Sequence, residues 1–363
     1  MKKKYIRLKN YEKSFNKNQK TKTSKVNYGL AMLKVISAFL ILTFHNFNSN
    51  TTKNQTIIYI TINRKLHVPS FYIMSFYFMS AHLFSLNFKM FLKRLFRLLT
   101  PYIIWPIIFY KFNHYLNLKY HKKLPDSNEE LKMQLLLGNR FNHPFWFQLD
   151  MITITILFFI IIFILRKFSL FVFQISLVFI YAVQYSGFDY TNYFKKYLKN
   201  DRYLVRYLFD SIPYAITGLL LGYYKMFDVI QKHKIKTFLL SISIYKIIAD
   251  YNIFRIMNPS PYIGVHLNIQ AICLVFVFSL FPSEYITNQY IQKFLTILTN
   301  YTAGVFYLHV PIQVYLSDYF YNIRNRTFIG MIQEYLFCYL ICFIGMFIFG
   351  KTPLKYMFSY HKL

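Results

Sequence analysis

Lys34 and His45 are two basic residues inside one apolar stretch that runs from Asn27 to Asn48. An ionisable side chain near the bilayer centre costs at least a few kcal/mol, so its presence on a membrane helix indicates a function. The two positions are eleven residues apart, within about 20° of three full helical turns, so both side chains share one face. An imidazole here can act as a general base or as a nucleophile. The alternative is a helix-end histidine that bonds a loop.

Arg94 and Arg97 form a second pair, three residues apart in the stretch from Lys93 to Pro106. Positions three apart are neighbours on a helix surface. Two guanidinium groups side by side suit a phosphate or pyrophosphate, because each can donate two parallel hydrogen bonds. We expect this pair at the cytoplasmic mouth of the third membrane span. The alternative is a pair of anchors of the kind that accumulates at cytoplasmic helix ends.

The composition indicates that membrane helices position these residues. Of 363 residues, 55% are hydrophobic and 21% aromatic, and the mean hydropathy is +0.29. These values predict an all-α fold, a polytopic transmembrane helical bundle of about ten spans. The three cysteines lie in apolar runs and have no metal-ligand spacing, so we expect packing residues and no metal. The predicted spans are Gly29–Phe47, Val68–Leu86, Leu98–Phe112, Pro144–Leu165, Phe168–Ser186, Tyr207–Phe227, Thr237–Phe254, Tyr262–Phe281, Phe294–Phe320 and Phe328–Gly350.

The net charge of +30 does not indicate a nucleic-acid partner, because the basic residues lie between apolar runs and in the N-terminal tail. Residues 1–26 carry ten Lys and Arg and one acidic residue. We expect this cytoplasmic tail to lack a fixed fold and to contact anionic lipids. Residues 27–352 then form the membrane domain, and residues 353–363 form a short cytoplasmic C-terminal tail.

The excess of Lys and Arg in alternate connections predicts a multi-pass protein of the cell membrane with a cytoplasmic N-terminus. In this orientation the ionisable residues within the spans fall mainly in the outer half of the bundle. Buried ionisable groups that several helices place at the same membrane depth predict a polar cavity open to the outside. The alternative is that Asp210, Asp250 and Glu334 merely flank outer loops. The residues at this level are His45, Asp150, Asp210, Asp250, His266, His309 and Glu334.

Five stretches, taken in order, resemble the integral-membrane acyltransferase-3 family, whose members modify cell-envelope carbohydrates. They are Lys34 with His45, VPSFYIMSFY from Val68, KRLFRLLTPYIIW with Arg94 and Arg97, HPFWF from His143, and YLHVP from Tyr307. The resemblance covers nearly the whole chain after the basic tail. The family typically has Arg where Lys34 stands and Gly where Phe76 stands, so Lys34 keeps the charge and loses the planar fork.

The resemblance implies transfer of an acyl group, usually acetyl from acetyl-CoA, to a hydroxyl of an envelope glycan. Acyl-CoA is then a co-substrate, and no cofactor is permanently bound. Lys34, Arg94 and Arg97 are the candidates for binding the donor. His45 is the candidate catalytic base or nucleophile, with Asp150 holding its tautomer.

Trp146 and His309 are the candidates for binding the acceptor, since aromatic faces and short polar groups bind sugars. A packing histidine bonded to a backbone carbonyl is the alternative for His309. A polysaccharide export or polymerisation protein without acyl transfer is the alternative function, because such proteins are also basic, aromatic and rich in membrane spans.

Overall fold

The structure is a computed structural model that describes residues 27–46, 66–120, 127–137, 145–186, 202–251, 265–281, 286–317, 319–320, 322 and 327–359. About 90% of these residues are helical and none lies in a strand. The all-α prediction is therefore confirmed for the part of the chain that is described. The basic tail of residues 1–26 and the side chain of Asp250 lie outside it.

Twelve α-helices are described, with a 3₁₀ turn at Arg166–Phe168 and a C-terminal 3₁₀ helix at Pro353–Met357. In chain order the α-helices are α1 (Tyr28–Asn46), α2 (His67–Phe84), α3 (Phe88–Tyr120), α4 (Asn128–Leu137), α5 (Phe145–Leu165), α6 (Ser169–Tyr185), α7 (Arg202–Tyr223), α8 (Met226–Lys232), α9 (Lys234–Tyr251), α10 (Val265–Ser279), α11 (Gln289–Leu316) and α12 (Phe328–Phe349).

Polar side chains fix the starts of several helices. Asn27 accepts the backbone N–H of Leu30 at 3.1 Å, and its amide donates to the carbonyl of Ser279 at 2.9 Å. It therefore caps α1 and joins that cap to the end of α10. Asn288 and Thr327 accept backbone N–H groups at the starts of α11 and α12. Each cap satisfies a donor that would otherwise have no partner in the first helical turn.

The third predicted span is only the central part of α3, which has 33 residues and is about 50 Å long. Pro101 and Pro106 lie inside this helix and do not end it. In a membrane bundle, neighbouring helices can satisfy the backbone groups that a proline disturbs. Here the amide of Gln148 on α5 donates to the carbonyl of Leu98 at 2.7 Å, one turn before Pro101. As a result, Arg94 and Arg97 lie inside a continuous helix.

Helix α2 lies at the centre of the bundle and packs most closely on α7. A Cβ atom built at Gly218 of α7 would lie 2.3 Å from the carbonyl oxygen of Ile73, and one at Gly222 would lie 2.5 Å from that of Tyr77. Only glycine permits backbones to approach so closely. The two helices run in the same direction, because later residues of α7 meet later residues of α2.

Large apolar side chains lie exposed along α5, α6 and α12, among them Ile164, Val178 and Phe347. Within the described ranges, three stretches are long and apolar enough to cross a membrane: Phe88–Tyr115, Phe145–Gln184 and Phe328–Phe349. The second of these comprises α5 and α6 with the turn between them. Tyr28–Thr43 and Val265–Ser279 are shorter apolar helices. The membrane class is supported, and the number of ten spans stays a prediction.

The chain turns back into the bundle after α12. The indole of Trp105 donates to the carbonyl of Met357 at 3.1 Å, and the ring of Phe358 stacks on Phe349 at 6.1 Å. Met357, Phe358 and Ser359 are all buried. Residues 353–359 of the predicted C-terminal tail are therefore packed against α3 and α12, whereas residues 360–363 lie outside the described residues.

Candidate active site

Asp150 is buried near the start of α5, with 1% of its surface exposed. Its Oδ2 accepts a hydrogen bond from Ser211 of α7 at 2.9 Å and a longer one from the hydroxyl of Tyr72 of α2 at 3.4 Å. A buried carboxylate without donors would be strongly unfavourable, so these two hydroxyls are what makes this position tolerable. Three helices thus meet at one carboxyl group, which they hold in a fixed orientation.

The same end of α5 packs against α11 through aromatic rings. Phe147 lies 5.0 Å from Phe306, and Phe145 stacks on Tyr307 at 5.6 Å. The Tyr307 hydroxyl also donates to Gln148 at 2.7 Å. These contacts bring the predicted HPFWF and YLHVP stretches together, although about 160 residues separate them in sequence.

Trp146 and His309, the predicted acceptor-binding residues, are both buried on these two helices. The Nδ1 of His309 lies 2.8 Å from the carbonyl oxygen of Phe306. Because a carbonyl only accepts, Nδ1 carries the proton and a neutral ring presents Nε2 as an acceptor. A bond to a backbone carbonyl is the arrangement expected for a packing histidine, so the acceptor role of His309 stays a prediction.

Arg94 reaches from α3 into the interior between α2 and α5. Its Nη2 donates to Ser75 at 2.9 Å and its Nε donates to Thr155 at 3.1 Å. The guanidinium group also lies 5.1 Å from the ring centroid of the buried Phe76. Ser75 and Thr155 lie midway along α2 and α5, so this charge is deeper in the bundle than the mouth that the sequence predicts.

Arg97 points to a different element. Its guanidinium carbon lies 5.6 Å from the ring centroid of Tyr356 in the C-terminal 3₁₀ helix. Its Nε is buried and has no hydrogen-bond partner among the described residues. Arg94 and Arg97 are neighbours on α3, but they contact different parts of the bundle.

Lys34 contacts a different side chain of α2 from those that Arg94 contacts. Its Nζ is 5.5 Å from the ring centroid of Phe78, which is 51% exposed, whereas Phe76 beneath Arg94 is fully buried. Two of the predicted donor-binding cations therefore contact separate aromatic rings of one helix.

His45 belongs to the last turn of α1 by its backbone, and its side chain lies outside the described atoms. Asp210, His309 and Glu334 are buried, as Asp150 is, so Asp210 and Glu334 lie inside the bundle and do not merely flank outer loops.

Asp150 and Thr155 are five residues apart on α5, which is about 7–8 Å along the axis. Because Thr155 bonds Arg94, the Asp150 carboxyl group and the Arg94 guanidinium lie about one to two helical turns apart along α5.

Sequence reasoning missed the residues that hold these groups. Tyr72 and Ser75 lie within the VPSFYIMSFY stretch, so a search for polar residues on its buried face could have found them. Ser211, Thr155 and Tyr356 carry no signal of their own in the sequence. Among the described residues, no three His, Cys, Asp or Glu side chains converge as metal ligands.

Comparison with known proteins gives one family. The model of the acyltransferase domain that defines the acyltransferase-3 proteins matches residues 27–351. No match was found among curated proteins or among solved structures. The matched region includes α1 to α12 and ends just before the C-terminal 3₁₀ helix.

Proposed function

Because the chain belongs to the acyltransferase-3 family, we propose that it is a membrane O-acyltransferase acting on a cell-envelope glycan. The reaction moves an acyl group, acetyl in the first instance, from acyl-CoA to a sugar hydroxyl. The observation that carries the proposal is the family match over residues 27–351. The buried Asp150 and the half-buried Arg94, each fixed by hydroxyls of neighbouring helices, support it as a polar site inside an apolar bundle.

Arg94 and Arg97 bind phosphate groups of the donor in this proposal, with Lys34 as a further cation. Charge-assisted hydrogen bonds from guanidinium groups are the strong interactions by which proteins recognise phosphates. The two hydroxyls that hold Arg94 are neutral, so they fix its position and leave its charge in place. Lys34 contacts Phe78 of α2 and Arg94 contacts Phe76, so the two cations have separate places on this helix.

His45 performs the transfer, with Asp150 as its positioning residue. As a general base, the imidazole takes the proton of the acceptor hydroxyl while the oxygen bonds the thioester carbon. The carbon–sulfur bond then breaks, and the departing thiolate of CoA receives a proton. As a nucleophile, the imidazole would instead hold the acyl group before it passes to the hydroxyl. Trp146 and His309 contribute to acceptor binding.

The proposal places the protein in the cell membrane with a cytoplasmic N-terminus. Its partners are acyl-CoA, the envelope glycan and a bilayer whose anionic lipids attract the basic residues 1–26. The cytoplasmic start of α3 then faces the source of acyl-CoA, and the level of Asp150 faces the glycan.

The deciding experiment replaces His45 with Ala in cells and measures ester-linked acyl groups on the surface polymer. We expect a loss of at least a hundredfold, the usual range for a general acid–base or nucleophilic group. His114→Ala is the matched control, because His114 is exposed on α3 and should leave acylation unchanged. Normal acylation by H45A at an equal protein level would contradict the proposal.

Binding of the donor separates this function from glycan export or polymerisation. A ligand that binds only the folded protein raises its thermal stability. We expect acetyl-CoA to stabilise the full-length protein in detergent, whereas an export protein has no need of such a site. The absence of any shift at millimolar acetyl-CoA would favour the export function.

A further inference from the structure

Tyr356 of the C-terminal 3₁₀ helix is shared by two cations. The guanidinium carbon of Arg97 lies 5.6 Å from the ring centroid, and the Nζ of Lys355 lies 5.3 Å from it. Each distance is within the range of a cation–π interaction. The two positive charges therefore lie no more than about 11 Å apart.

These two like charges have no counter-charge among the described residues. Arg97 and Lys355 form no ion pair there, and both charged groups lie against the Tyr356 ring. The Nε of Arg97 is buried without a hydrogen-bond partner. Two cations held close together repel each other, and a buried donor without an acceptor is unfavourable. An anion that contacts both groups would offset the repulsion and supply an acceptor.

The backbone keeps the Tyr356 ring in place. Trp105 holds the carbonyl of Met357, and the buried Phe358 fills the space that Gly304 and Gly345 leave open. The ring of Phe96 packs edge-on against Tyr356 at 5.9 Å. The segment thus positions Lys355 and Tyr356 over α3 before any ligand arrives, which reduces the ordering cost of binding.

We propose that Lys355 and Arg97, both held against the Tyr356 ring, bind a phosphate group. Resting on the function proposed above, this phosphate is one carried by acyl-CoA. Lys355 and Tyr356 lie beyond residue 351, where the family match ends. The C-terminal segment therefore adds a cation and a positioning ring to the donor site of this chain.

The test measures the affinity of the full-length protein in detergent for acetyl-CoA by calorimetry, together with steady-state kinetics. Lys355→Ala should weaken acetyl-CoA binding about tenfold, as expected for one charge-assisted phosphate contact. The effect should fall on KM more than on kcat, because the contact is present before and during the reaction. Lys351→Ala is the matched control: it removes an exposed lysine four residues earlier and should stay within about twofold of wild type.

Tyr356 is tested as a positioning residue. Tyr356→Phe keeps the ring and should restore most of the affinity that Tyr356→Ala loses. If Y356A loosens the packed segment and does not fold, K355A decides the matter, because it leaves the packed rings intact. Equal affinities of K355A and wild type for acetyl-CoA would overturn the proposal.

A lipid headgroup also carries a phosphate, so a second titration adds phosphatidylglycerol to the micelles. If phosphatidylglycerol no longer stabilises K355A while acetyl-CoA still does, the assignment of this phosphate site to the acyl donor is wrong. If wild type binds no acetyl-CoA, this inference and the donor part of the proposed function fail together. If wild type binds acetyl-CoA and K355A binds it equally well, only the inference fails.

Discussion

At the scale of residues, the interior polar groups of this bundle depend on hydroxyl side chains from neighbouring helices. Ser75 and Thr155 hold Arg94, and Ser211 and Tyr72 hold Asp150. A hydroxyl accepts from a cation and donates to an anion, so it satisfies either group without cancelling its charge. The hydroxyls thus hold the Asp150 carboxyl group and the Arg94 guanidinium in place inside the bundle.

Thr155 offers a test of this arrangement. Its hydroxyl accepts from the Nε of Arg94 at 3.1 Å and donates to the carbonyl of Met151 at 2.6 Å. Thr155→Val keeps the shape and removes both bonds, so we expect a stability loss of about 1 kcal/mol. We also expect severalfold weaker acetyl-CoA binding, because the guanidinium is less well oriented.

Thr155→Ser is the control, since it keeps the hydroxyl and should bind acetyl-CoA nearly as wild type does. Thermal unfolding and calorimetry measure the two effects. A T155V protein that binds acetyl-CoA with wild-type affinity would show that Arg94 needs no such support, or that it does not contact the donor.

At the scale of elements, α2 is the helix on which the site is assembled. Tyr72 of this helix bonds Asp150 and Ser75 bonds Arg94, and Phe78 contacts Lys34. Ser211 of α7 bonds the same carboxyl group, and α7 approaches α2 closely. The glycines of α7 permit that approach, so they bear on the site although they carry no chemistry.

We therefore expect Gly218→Ala to be strongly destabilising. The new Cβ would lie 2.3 Å from the carbonyl oxygen of Ile73 and 2.8 Å from its Cα, and backbone cannot move aside as a flexible side chain can. Overpacking of this kind costs about 1–3 kcal/mol. The measurement is the thermal unfolding midpoint in detergent, with the yield of folded protein as a second readout.

Ser80→Ala on the facing helix is the comparison. The Ser80 hydroxyl donates to the carbonyl of Tyr77 within its own helix, and its removal adds no atoms to the interface. Its midpoint should stay near that of wild type. Equal midpoints for G218A and wild type would mean that α2 and α7 are not in such close contact.

At the scale of the whole molecule, alternating helix directions collect the buried ionisable residues in one half of the bundle. Asp150 and Glu334 lie early in their helices, whereas His309 lies late in α11. With α5 and α12 running one way and α11 the other, these positions fall at the same side. The predicted orientation makes that side the outer one.

Cysteine labelling tests the orientation. Cys273, Cys338 and Cys342 are buried, so an impermeant maleimide should give little background on intact cells. A single Cys at Ser24→Cys in the basic tail should stay unlabelled until the cells are opened. Thr191→Cys, between α6 and α7, should be labelled from outside. The reverse pattern would invert the bundle and place Arg94 away from cytoplasmic acyl-CoA.

The sequence alone determined the helical class and the approximate positions of the membrane helices. These depend on local hydropathy, which is set by composition over about twenty residues. The ordered motifs also led to the family, and the match over residues 27–351 confirms it. The extent of α3 was not predictable, because two prolines indicate a helix start, whereas in the bundle the helix continues through both of them and α5 bonds a carbonyl beside the first.

Only the tertiary structure decided which groups meet. Asp150 bonds side chains 78 and 61 residues away, and Arg94 and Lys34 contact different rings of α2. Tyr356 comes to Arg97 because the chain turns back after α12. Such contacts depend on how helices pack around one another, and a sequence pattern fixes the face of each helix without fixing its neighbour.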